Sequence, residues 1–414
     1  MHVTQRKTAL ITFVLRLENS GEQRCRMRRH FRLLEKFALV CIGTLGLVYI
    51  FSHNSPSEPI DVVSREEGQP VSLPDLVAVR TEKPKHTPTC RENTSVSSLP
   101  TFAVQPQNVK DFLRYKHCRD FNLIQNVPRK CGGPENSHNV FLLLVIKSDP
   151  FNHDRRDMVR RTWGKERRFQ GVQIKRVFIT ALSPNEHEQA KLNRVLELEN
   201  RQHRDILQWD FLDTFFNLTL KQFKLLQWLD IYCPKAQFIF NGDDDVFANS
   251  DNMVEYLQGM EAGQKGGQHL YVGHLIAGVG PIRERWSKYY IPEVVTTSQS
   301  YPPYAGGGGI LMSRHTASVI YSVAREIEVF PIDDVFLGMC LEKAGLAPKS
   351  HMGFRTAGVW VPSPKDDSFN PCYYRELLLV HRFRPYELLL MWEAVHNSSL
   401  RCARSPLRVA LPQT

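Results

Sequence analysis

Three aspartates in a row, Asp243-Asp244-Asp245, follow the apolar run Phe238-Ile239-Phe240 and the pair Asn241-Gly242; Val246-Phe247 closes them off. Adjacent carboxylates repel one another, so a folded chain keeps three together only where water or a counter-ion neutralises them. Just past a strand, they suit a hard divalent cation, Mn²⁺ or alternatively Mg²⁺, at the carboxyl edge of a sheet. A solvated acidic turn is the plain alternative. A calcium loop starting at Asp243 would need Gly where Ala248 stands and Glu where Val254 stands. An Asp-x-Asp phosphotransferase would need Thr or Val in place of Phe247, and no P-loop occurs. What is left is a site in which one or two carboxylates share a metal with phosphate oxygens.

Four other groups could work beside the triplet. Asp333-Asp334, in PIDDVFLG, stands at an expected helix start, where an Asp either caps the helix or serves as a general base. Gly306, Gly307, Gly308 and Gly309 precede an apolar run, and so many glycines suit close backbone approach to a ligand better than a mere linker. His381 ends another apolar run and is either structural or an imidazole ligand for the same cation. Arg156 and Arg160, four apart beside Trp163, share a helical face that could clamp a diphosphate, or that is simply solvated.

Elements able to hold these residues alternate along the chain. Segments 140–146, 172–181, 205–211 and 237–240 are apolar enough for strands buried on both faces. Between them, 154–163, 184–200 and 218–233 carry helical patterns. This predicts an α/β domain with a mixed, mainly parallel central sheet, whose ligands bind where the strands end. The second half is less regular: strands at 269–275 and 309–312, helices at 315–326, 335–344 and 386–396, and an apolar run at 375–381.

The formal net charge of +10 is uneven, because residues 1–36 carry nine Lys/Arg against three Glu. With no basic-aromatic module and no zinc-finger spacing, nucleic acid is not an expected partner. Residues 37–51 are apolar throughout and span roughly 22 Å as a helix, short of a ~30 Å hydrocarbon core without snorkelling flanks. They lie far from Met1 and lack a cleavage site, so a signal-anchor is expected; a start at Met27 would make the leader compact. Positive-inside logic puts 1–36 in the cytosol and the rest in the lumen. Pro/Ser/Thr-rich residues 52–108 read as a flexible stem, 109–400 as the catalytic domain and 401–414 as a tail. Sequons at Asn93, Asn217 and Asn397 fit the lumenal side. Of nine cysteines, Cys25 and Cys41 fall in tail and anchor, leaving seven in an oxidising lumen. Bridges Cys118–Cys131 and Cys340–Cys372 are expected, with an odd thiol left over.

The blocks RRDMVRRTWG, FFNLTLK, FIFNGDDDVF, KYYIPEVV, YPPYAGGGGILMS, PIDDVFLGMCL and LLVH follow one another in this order. As an ordered set over about residues 110–395 they resemble the β-1,3-glycosyltransferases, and most closely the β-1,3-N-acetylglucosaminyltransferases. Galactosyl relatives tend to have Asp-Ser-Asp in the metal block and Glu-Asp in the later pair, where this chain has Asp243-Asp244-Asp245 and Asp333-Asp334. The resemblance implies a GT-A-like nucleotide-sugar glycosyltransferase fold in a single-pass type II Golgi membrane enzyme. It also implies UDP-GlcNAc as donor, Mn²⁺, and galactose-terminated glycan acceptors on glycoproteins or glycolipids. By resemblance Asp245, His381 and Asp243 hold the metal, and Asp243 and Asp244 lie near ribose and diphosphate. Asp334 becomes the base, Arg156, Arg160 and Trp163 fall in the donor block, and Lys288, Tyr289, Tyr304, Asp333 and the glycines line the site. A β-1,3-galactosyltransferase of the same fold and an inactive anchored glycan-binding relative are the alternatives; self-association or pairing with another chain stays open.

Overall fold

A computed structural model of the chain describes residues 90–260, 268–359 and 367–402. The expected cytosolic tail, the 37–51 anchor and the stem up to residue 89 lie outside the described residues. Among the described residues, no helix is long and apolar enough to cross a membrane.

The chain enters through two short 3₁₀ turns, helix α1 (Gln107–Tyr115) and edge strand β1 (Leu123–Gln125). It continues through β2 (Val140–Lys147), α2 (His153–Arg161), β3 (Arg167–Phe169), β4 (Val172–Leu182) and α3 (Glu186–His203). β5 (Ile206–Leu212), α4 (Leu218–Tyr232), β6 (Phe238–Asp243), β7 (Val246–Ala248) and α5 (Ser250–Gln258) follow. Next come β8 (Tyr271–Ile276), β9 (Tyr304–Ser313), α6 (Arg314–Ala324), α7 (Asp333–Lys343), β10 (Lys349–Ser350) and β11 (Phe354–Arg355). A single turn α8 (Pro371–Tyr374), β12 (Leu379–His381) and α9 (Pro385–Val395) complete it.

The large sheet runs β1-β5-β4-β2-β6-β9-β8-β10, with β3 on β4, and a small sheet runs β11-β12-β7. Parallel pairing joins β5, β4, β2 and β6, as the continuous apolar runs predict. In β2, Leu143 and Val145 face one hydrophobic core and Leu142, Leu144 and Ile146 the other, all fully buried. The sheet is mixed, as expected, but evenly so rather than mainly parallel. Antiparallel β9 attaches to β6, β8 to β9, and the short strands β1 and β3 lie antiparallel to their neighbours. Pairing direction depends on how the chain returns to the sheet, which apolarity does not encode.

Two expectations fail here. Composition extends the stem to residue 108, yet Val96 and Phe102 are buried in the core and Cys90 is bonded to Cys118. The folded unit therefore includes Cys90 onward; two buried side chains and a crosslink leave no trace in local composition. The expected bridges are also replaced: the pairs are Cys90–Cys118, Cys131–Cys233 and Cys372–Cys402. The odd thiol is Cys340, fully buried on α7, whose burial pushes it up to about 12. Spacing along the chain does not reveal which cysteines the fold brings together.

Candidate active site

Register builds the site. β2 and β6 end side by side, with Lys147 the direct partner of Asp243. Asp243 is the last residue of β6, and Asp244 and Asp245 form the turn into β7. β12 pairs antiparallel with β7 and sets His381 opposite Val246, one residue past the triplet. Phe383 N–H then donates to the Asp245 carbonyl at 2.7 Å, across Arg382, which adopts a left-handed φ of 73°. His381 Nε2 lies 3.2 Å from Asp245 Oδ1 and 3.8 Å from Asp243 Oδ2. One potential ligand atom from each of the three residues falls within 4.8 Å of the other two. Two carboxylate oxygens and an imidazole, all partly exposed, fit a hard divalent cation with positions left for phosphate and water.

Asp244 stands apart. It is buried, and accepts from Asn152 Nδ2 at 2.9 Å and from Arg155 at 3.2 Å. Burial raises its pKa, against hydrogen bonds from Ser148 and Asn152 and the charge of Arg155. Burial works upward on Asp245 too, but His381 and Arg155 outweigh it and hold that carboxyl low. Within the triplet, Asp243 and Asp245 face the His381 imidazole, while Asp244 between them is tied to Arg155 of α2.

The second acid pair opens α7. Ile332 takes the N-cap position, so Asp333 and Asp334 are first-turn residues rather than caps. Asp333 is buried, with Oδ2 accepting from Lys147 Nζ at 3.1 Å and from Gln222 Nε2 at 3.4 Å. Lys147 Nζ is also 3.1 Å from Asp243 Oδ1. Burial works to lower the Lys147 pKa, but Asp243, Asp333 and Asp334 together raise it well above its ordinary value, so it stays charged. Asp334 accepts from Gly307 N–H at 3.4 Å; burial first, then the Asp333 charge, pushes its pKa up to about 7. A carboxyl poised near neutrality is suited to general-base work.

The glycines lie inside β9 rather than before a strand. Gly307 and Gly308 have φ of 77° and 94°, and a Cβ on Gly308 would sit 3.0 Å from the His381 ring. They permit close approach of β9 to His381 and, through the Gly307 amide, to Asp334. Tyr304 begins the same strand, and α7 packs onto it at Gly338, where a Cβ would meet Tyr304 at 2.8 Å. Tyr289 lies edge-on to Phe215 at 5.3 Å, with Lys288 Nζ 4.7 Å over the Tyr289 ring and 5.3 Å over that of Phe215. Burial, then Asp334, then Tyr289 raise the Tyr304 hydroxyl pKa, so an aromatic wall extends from the acid pair.

The expected donor clamp is not formed by Arg156 and Arg160. Both are buried: Arg156 chelates Glu199 at 2.7–3.2 Å, and Arg160 bridges Glu199 and Asp205. Trp163 is fully buried edge-on to Phe240 at 5.8 Å. Helical spacing correctly gave them one face, but that face meets buried acids instead of solvent or ligand. The arginine at the acid cluster is Arg155. Arg155, Asn152, Lys147 and Gln222 are the residues sequence reading missed. Lys147 alone carried a signal, as the only charge ending the apolar run 140–146.

Among the sequons, exposed Asn93 and Asn397 each accept hydrogen bonds from the backbone and hydroxyl of the serine two residues on. Asn217 donates to the Leu212 carbonyl at 2.8 Å, and Thr219 is buried against Phe330.

The galactosyltransferase family profile matches residues 154–352. The chain is 55% identical over 336 residues to human N-acetyllactosaminide beta-1,3-N-acetylglucosaminyltransferase 3, covering 81% of this chain and 88% of that one. It is 46% identical to a human acetylgalactosaminyl-O-glycosyl-glycoprotein beta-1,3-N-acetylglucosaminyltransferase, covering 88% and 94%. With rat UDP-GlcNAc:betaGal beta-1,3-N-acetylglucosaminyltransferase 7 it shares 43%, over 77% and 78% of the two chains.

Proposed function

The chain belongs to the galactosyltransferase family, among its β-1,3-N-acetylglucosaminyltransferases, and from that premise we propose that it transfers GlcNAc from UDP-GlcNAc to the 3-hydroxyl of a terminal galactose. The observation that carries the reading is Lys147, whose ammonium touches both Asp243 of the ligand trio and Asp333 of the acid pair. One sheet edge therefore holds a cation and diphosphate site beside a single poised base. Asp334 takes the proton of the acceptor hydroxyl. The acceptor oxygen bonds to C1 as the bond from C1 to the UDP oxygen breaks on the opposite face, inverting α to β. Asp243, Asp245 and His381 would hold a divalent cation, which would supply positive charge to offset that on the departing diphosphate, so that no second carboxylic acid would be needed, unlike in glycoside hydrolysis. Lys288, Tyr289 and Tyr304 line the acceptor side. The fold is of GT-A type, Mn²⁺ is the ion, and the acceptors are lactosamine or core-1 glycans. The enzyme works as a type II protein of the Golgi membrane.

Asp334→Asn tests this. The variant should keep its melting temperature and lose about 10²–10⁴-fold in kcat, the usual share of general-base catalysis. Loss of less than about tenfold would reject Asp334 as the base. Offering UDP-GlcNAc and UDP-galactose in parallel tests the donor: preference for galactose would make the chain a galactosyltransferase, and turnover of neither would make it a glycan-binding relative.

A further inference from the structure

Asn241 is out of place in its strand. It sits within β6 between Phe240 and Gly242, paired in register with Val145 and Ile310. It is 2% exposed, and its Oδ1 is a buried acceptor without a partner among the described residues. An amide in such a position is costly, and an apolar residue of similar volume would serve the fold better. Its Nδ2 donates to Gln222 Oε1, and Gln222, also 2% exposed, sends its own Nε2 to Asp333 Oδ2 at 3.4 Å. Lys147 Nζ meets that same oxygen at 3.1 Å and turns back to Asp243 Oδ1 at 3.1 Å. The chain of contacts leaves β6 at Asn241 and returns to β6 at Asp243, passing through α4, α7 and β2. It ties the cation edge to the helix that carries Asp334.

We propose that Gln222 and Asn241 are positioning residues for the transfer reaction: they fix the Asp333 carboxylate, which seats Lys147 between Asp243 and Asp333 and leaves Asp334, held by the Gly307 amide, without an ion-pair partner among the described residues and able to act as the base. Neither touches substrate. Without the Gln222 donor, Asp333 turns and Lys147 is free to pair with Asp334 instead, removing the base. The inference rests on Asp334 being the base.

The test uses purified full-length enzyme with Mn²⁺, UDP-GlcNAc and a lactosamine acceptor. Gln222→Met keeps the volume and removes the amide; Gln222→Glu keeps the shape and replaces the donor with a carboxylate. Both should lose about 10–100-fold in kcat, the cost of removing an outer hydrogen-bond partner. Calorimetric affinity for Mn²⁺–UDP and KM for UDP-GlcNAc should stay within about twofold. Combined with Asp334→Asn, Gln222→Met should cost little more, since both act through one group. Full kcat in either folded variant, or additive losses in the pair, would overturn the proposal. A loss of kcat that merely follows a loss of folded protein on melting would overturn it too. If Gln222→Met does not fold, Gln222→Glu decides alone, and if both fail to fold the role is structural and the proposal falls. An active Asp334→Asn would reject the base reading itself; an inactive one beside a wild-type-like Gln222→Met would reject this inference only.

Discussion

Two charge-dense regions meet on α2 and differ in one respect. On its buried side, Arg156, Arg160 and Arg176 surround Glu199 and Asp205, and all four carboxylate oxygens accept from a guanidinium. Burial works upward on both acids, but the arginines outweigh it and hold them low. At the sheet edge, the cationic groups that Asp243, Asp244, Asp245, Asp333 and Asp334 share among the described residues are Lys147, Arg155 and an imidazole. There one carboxyl is driven up to about 7. Charge balanced by the chain builds fold, whereas charge left over awaits a ligand.

Chelation should break the comparison most sharply. EDTA is expected to abolish transfer, and added Mn²⁺ to restore it, while the melting temperature falls only slightly. Full turnover in EDTA would mean the leftover charge does not serve a cation. Next in size, Glu199→Gln strips a partner from two buried arginines and should cost about 3–5 kcal/mol of stability in a denaturant titration. The surviving enzyme should keep its KM for UDP-GlcNAc; a large rise in KM with stability intact would return Arg156 and Arg160 to the donor site.

Acid should separate the regions gradually. Protonation disables a base, so kcat/KM should fall as pH drops through about 7, or lower once a cation sits beside Asp243. Glu199 and Asp205 have depressed folded pKa values, so their stabilisation is complete above the unfolded value of about 4 and is lost only as pH falls through the folded ones. Between those limits the protein should be slow but folded. Coincident loss of circular dichroism and rate would contradict the separation. The smallest effect belongs to exposed charges: Glu197, paired with Arg194 and Arg201 on α3, should lose under about 1 kcal/mol on change to Ala. A larger loss would show that exposure does not rank these pairs.

Much of the site was legible because its chemistry is local. Three adjacent acids, an acid pair before a helix and a glycine run stand out in any reading, and the ordered blocks pointed to the family. Arg156 and Arg160 were legible only as a pair on one face, since periodicity says what is together and not what it meets. Gln222 left no trace, and Lys147 showed only as a charge ending an apolar run, because their partners, Asp333 and Asp243, lie 111 and 96 residues further along the chain.

By itself, then, the sequence determined the buried parallel strands, the acid clusters and their chemical class, and the alternation that puts strand ends at one edge, because periodicity and composition are properties of neighbours. Only the tertiary structure decided that β9 runs antiparallel, that His381 joins Asp243 and Asp245 through the β7–β12 pairing, which cysteines bond, and which arginine reaches the acids. Those depend on strand register and direction, where a shift of one residue turns every side chain to the opposite face.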